Sequence, residues 1–170
     1  MSRRGATLAP SQWLFAPAAA AIAATILMAI PFRALFLTLP EPVFPLALAF
    51  AWALIRPSIL GPVLLFLLGL FLDLFWGGRL GLWGMSLITA YGLALIGRSL
   101  MVGQGGAVMA GWYAAACAVA LWVAYVFATL VAHEEPNLLA VLWQFFWSSA
   151  LFPAVYWLVD RFEDADVRFR

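Results

Sequence analysis

The predicted fold class is an all-α polytopic membrane protein with six transmembrane helices, a single integral membrane domain over residues 1–170, and three observations predict it. The chain is 66% hydrophobic and only 10% charged, against about 45–50% apolar and 25% charged in soluble domains. Its apolar residues fall into six runs divided by short segments of turn chemistry. Its cations are all arginine, with no lysine, and they segregate to one side of the layer that those runs define.

A hydrocarbon core of about 30 Å needs roughly 20 helical residues, fewer where the bilayer thins or protein shelters the helix. The first run, 12–37, follows Arg3 and Arg4. It exceeds the ~7–15-residue core of a secretory signal and further runs follow it, so it reads as an uncleaved first helix. The second, 43–55, is short and carries Pro45. The remaining four are 59–76, 82–97, 107–132 and 138–159. Between them stand Pro40-Glu41-Pro42, Arg56-Pro57-Ser58, Gly77-Gly78-Arg79, the glycine-rich stretch from Gly103 to Gly106, and the polar stretch from His133 to Asn137. Each combines residues that break or turn a helix.

Arginine placement orients the layer, because cytoplasmic loops are enriched in cations. With both termini cytoplasmic, Arg3, Arg4, Arg56, Arg98, Arg161, Arg168 and Arg170 fall inside and only Arg33 and Arg79 outside. Tryptophans 13, 76, 83, 143 and 157 lie near span ends, where interfacial aromatic belts form, while Trp52 and Trp122 lie deeper and are expected to pack. The connecting loops are too short for a soluble domain.

One acid interrupts the third run. Asp73 lies about 14 residues in, roughly 20 Å from the cytoplasmic face and about 10 Å below the outer one. A carboxylate there costs around 2.5–3.5 kcal/mol on insertion scales, so it is expected to face protein or water and to have a partner. By the same rise per residue, Arg33, Ser86, Thr89, Gln144 and Ser148 fall at a similar depth. The expectation is a polar layer beneath the outer surface, with Arg33 or Arg79 neutralising Asp73. Two roles stay open for it: a structural clamp of Asp73 and Arg79 across the Gly77-Gly78 turn, or a pocket or partner contact.

Ala16, Ala20 and Ala24 in the first run leave a smooth face for close helix contact, a candidate partner interface, and Ala107, Gly111 and Ala115 offer another in the fifth. Cys117 reads as a small buried hydrophobe. His133 with Glu134 and Glu135 is not a closed ligand set for a metal, and the lone histidine, in a loop, gives no nucleophile a base. Neither catalysis nor a cofactor is expected, and a net charge of +1 offers no broad basic surface for nucleic acid.

The short-looped six-span pattern, the arginines inside, and Gly69-x3-Asp73-x3-Gly77-x3-Gly81 within "LDLFWGGRLGLWG" resemble the rod shape-determining protein MreD family. The resemblance covers nearly the whole chain. It implies a non-enzymatic component of the bacterial inner membrane, part of the cell-elongation machinery that shapes rods through peptidoglycan synthesis. The implied direct partner is the bitopic protein MreC, and through it the MreB filament, the glycan polymerase RodA and its transpeptidase. On the motif, Asp73, Gly77 and Gly81 become structural or MreC-contacting positions. The family is similar in hydropathy to the six-helix substrate-binding subunits of energy-coupling-factor transporters. An alternative reading is therefore a subunit that binds a small solute or lipid in a polar pocket near the periplasmic face.

Overall fold

The computed structural model describes residues 43–55, 57–101, 104–131 and 137–167, the side chains of 158 and 161–167 excepted. All secondary structure among them is helical. The helices are α1 (Phe44–Ile55), α2 (Leu60–Phe75), α3 (Leu82–Met101), α4 (Gly106–Leu130), α5 (Leu138–Ala150) and α6 (Phe152–Val167). Three stretches are long and apolar enough to cross a membrane: Leu82–Met101, Gly106–Leu130 and Leu138–Trp157. The first apolar run, with its alanine face Ala16, Ala20 and Ala24, lies outside the described residues, as do Arg33 and the stretch from His133 to Glu135.

Helix ends follow local chemistry. Asn137 starts α5 by accepting the Leu139 N–H on its side-chain oxygen at 3.0 Å, which supplies one of the acceptors that a helix start lacks. α3 runs four residues past the expected end at Gly97, to Met101, and places Arg98 in its last turn, where a cation suits the helix dipole. The expected span 138–159 is present as the stretch Leu138–Trp157, broken at Leu151 into two helices. Pro153 has no N–H to donate and its ring clashes with the carbonyl four residues back, so the α-helical ladder stops there. The chain bridges the break with a tighter turn, Leu151 N–H to Ser148 C=O at 3.2 Å and Ala154 N–H to Leu151 C=O at 3.0 Å.

The expected second span is also changed. α1 has 12 residues, about 18 Å of helix, well short of a bilayer. It is buried on most of its surface, including Leu46, Ala49, Phe50, Ala51, Trp52 and Ala53, and packs chiefly on α3 and α6. A helix apolar all round belongs in an interior, and α1 forms the inner wall of the core.

Antiparallel α3 and α4 make the most extensive contact in the bundle, followed by α2 with α3. α2 and α3 touch backbone to backbone: a Cβ on Gly69 would run into the main chain of Gly84. At the other end of α3, Gly97 makes room for the Trp112 ring of α4, to which a Cβ would come within 2.8 Å. Phe50 meets Tyr113 edge to face at 5.2 Å, and Tyr113 packs on Phe152 at 6.1 Å. Trp52 is buried, as expected of a packing residue, whereas Trp122 faces outward, 61% exposed and stacked on Tyr125. Ala107, Gly111 and Ala115 are likewise exposed; α4 packs through Tyr113, Ala116, Cys117, Ala120, Leu121, Ala124 and Ala128 instead.

Replacing Gly69 with Ala forces α2 and α3 apart. The expected loss is about 1–3 kcal/mol, the usual range for overpacking, read as a lowered melting temperature in detergent.

Candidate functional site

Asp73 lies in the last turn of α2, only 1% exposed. The turn that follows is set by two glycines in left-handed conformations, Gly77 (φ 67°) and Gly81 (φ 100°), which side-chain-bearing residues adopt at a cost. The Gly78 N–H donates to the Asp73 carbonyl at 2.8 Å and the Gly77 N–H to that of Leu74 at 3.4 Å, the double closure typical of a helix ending in a left-handed glycine. The chain then turns back, and the Asp73 side chain receives it. The Gly81 N–H donates to Oδ2 at 2.7 Å and the Trp83 N–H to Oδ1 at 3.1 Å.

Those two N–H groups are among the four that a helix start leaves without an acceptor. The carboxylate therefore caps α3 from the preceding helix and sits at the positive end of its dipole. Among the described residues its partners are main-chain N–H groups, and Arg33, the other expected partner, lies outside the described residues. The expected pairing with Arg79 does not occur: Arg79 is exposed, and no ion pair joins it to Asp73. The reason is geometric, since the α3 N-terminus lies on the buried side of the turn and Arg79 on its rim. Trp76 and Trp83 close the rim, edge to face at 5.3 Å.

The expected polar layer divides. Ser86 and Thr89 donate back to their own helix, to Leu82 C=O at 3.0 Å and Met85 C=O at 2.8 Å. Ser148 is fully buried but belongs to a second polar site, where its Oγ accepts the Val43 N–H at 3.1 Å and its carbonyl accepts the Tyr113 hydroxyl at 2.8 Å. Asp73 reaches the start of α3, whereas Tyr113 neighbours Trp112, which packs on Gly97 near that helix's end. Asp73 and Ser148 thus lie toward opposite ends of the α3–α4 pair, so they do not share a layer. Gln144 is half-buried on α5. Sequence reasoning missed Tyr113 and Tyr91, and the one signal for the second site was Pro153, which breaks the helix beside Ser148.

The class defined by this architecture is a membrane-type protein, helical in all its described secondary structure, in which the one buried carboxylate among the described residues locks a helical hairpin. No known family, curated protein or solved structure matches the chain.

Asp73→Ala leaves two sheltered N–H groups without an acceptor, each costing about 1–3 kcal/mol, while Asp73→Asn keeps one acceptor oxygen and loses less. Arg79→Ala, at an exposed site, stays within about 0.5 kcal/mol of the parent. Thermal unfolding of the three variants in one detergent checks the order; an Arg79 effect as large as that of Asp73 contradicts it.

Proposed function

We propose that the protein is a non-enzymatic scaffold of the bacterial inner membrane, of the kind that the MreD resemblance implies. It positions the bitopic partner MreC by helix packing and so connects to MreB, RodA and its transpeptidase during cell elongation. In the finer topology of this reading, six segments resemble the energy-coupling-factor substrate-binding subunits and both chain ends are cytoplasmic. Arg98 lies at the Met101 end of α3, and α6 leaves the bundle at the same end, where Tyr156 packs on Gly106.

The observation that carries the reading is how the sheltered polar groups are used. Asp73, Ser86, Thr89, Ser148, Tyr91 and Tyr113 each bond main chain, holding helix to helix or helix to itself. A binding subunit needs convergent polar groups directed at a ligand; here the candidates are spread from the Asp73 end through Tyr91 in the middle to Ser148 and Tyr113 near the other end. A scaffold needs a rigid set of helices with outward apolar faces. α5 buries only Ser148 among its residues and turns Leu139, Leu142, Trp143, Phe146 and Trp147 outward.

Affinity purification from membranes in mild detergent tests the proposal. A single-pass partner is expected to co-purify at fixed stoichiometry. Recovery of well-folded protein without one defeats the scaffold reading, and a melting shift with a specific small solute replaces it with the binding-subunit alternative, since a ligand that binds only the folded form stabilises it.

A further inference from the structure

We infer that α1 is a half-depth helix that makes one membrane crossing jointly with α2, rather than a span of its own. The inference is independent of the scaffold reading and rests on where the two ends of α1 are tied.

α3 and α4 provide the scale, since they lie antiparallel with Gly81 near Phe127 at one end and Gly97 against Trp112 at the other. The far end of α1 leads into the Pro57-Ser58 linker. There the Tyr91 hydroxyl oxygen accepts the Ser58 N–H at 3.0 Å and donates its proton to the Ser58 carbonyl at 3.1 Å. Tyr91 is the middle of the 20-residue α3, about 15 Å of helix from Met101. A tyrosine side chain spans less than half that distance, so the linker lies well inside the end of the bundle. α2 begins at the same level, because a Cβ on Gly61 would come within 2.7 Å of the Tyr91 hydroxyl.

The near end of α1 is tied through Ser148, which takes the Val43 N–H and the Tyr113 hydroxyl. Tyr113 lies seven residues beyond Gly106, about 10 Å in from that end of α4. Phe50, midway along α1, is in ring contact with the same tyrosine. Both ends of α1 therefore fall between the middle of the bundle and its Met101–Gly106 end. A helix of about 18 Å held so is steeply inclined and climbs only part of the bilayer.

The chemistry of the linker agrees with this depth. In hydrocarbon, irregular backbone survives only where protein satisfies its polar groups. Tyr91 serves both main-chain groups of Ser58, the Gly61 N–H donates to Ser58 Oγ and to its carbonyl, each at 3.1 Å, and Pro57 and Pro62 have no N–H to satisfy. Among the described linker residues the outward side chains, Pro57, Ile59 and Leu60, are apolar, and Ile59 is 96% exposed. A linker at the cytoplasmic surface would have water for its backbone.

Site-directed labelling decides the matter, helped by there being a single native cysteine, Cys117, which is buried. In the full chain carrying Cys117→Ala, Ile59→Cys is compared with Gln104→Cys, an exposed position in the α3–α4 turn, using a membrane-impermeant maleimide on inside-out vesicles. Ile59→Cys is expected to react at least roughly tenfold more slowly, because a thiol in an apolar setting stays protonated. A bimane attached there with a permeant reagent is expected to be quenched by lipids brominated on their acyl chains. Equal labelling rates, or a bimane untouched by the brominated lipids, overturn the inference. Size-exclusion profiles matching the parent establish that each variant is folded.

Discussion

Inside hydrocarbon a peptide N–H or C=O has no water to turn to, and each unsatisfied group costs several kcal/mol. A continuous helix meets that demand by itself, whereas a break in one does not. The breaks are therefore where this fold uses its few polar side chains. Asp73 serves the turn into α3, Tyr91 the linker between α1 and α2, and Ser148 with Tyr113 the start of α1 and the end of α5. Each of these side chains is buried and each bonds main chain. The polarity of the interior is thus arranged around discontinuities of the backbone.

Close approach is the second element of the same economy. Lipid tails are as apolar as leucine, so helices in a membrane associate through shape and small residues more than through exclusion of water. Gly69 against Gly84 brings α2 and α3 into main-chain contact one turn from the Asp73 cap. The hydrogen bonds and the close packing support each other, because the carboxylate reaches Gly81 and Trp83 only if the two helices stand that near.

Much of this was legible beforehand. Hydropathy and turn residues located the helices from Leu60 to Leu130 within a few residues, and the cost of a carboxylate in lipid required that Asp73 be sheltered. What was not legible has physical causes. Counting charges suggests arginine as the partner of an acid, but a helix start offers N–H groups and a dipole that carry no letter in the sequence, and Gly81 signalled only a turn. The common polar layer rested on equal rise from equal starting planes, which fails because α5 does not start level with α3: its Ser148 lies beside Tyr113, toward the Gly106 end of α4. Ala107, Gly111 and Ala115 face outward, where a small-residue face is open to a partner helix and unused within the bundle.

The Asp73 cap is also local along the chain, joining residues only eight and ten positions apart. Contacts of such short separation need little loop closure and form early. As the chain is synthesised, α2 and the first turn of α3 can zip together as soon as Trp83 has emerged, before α4 exists to pack on them. A hairpin closed in this way can carry the acid into lipid already engaged, which avoids the cost of a bare carboxylate in hydrocarbon.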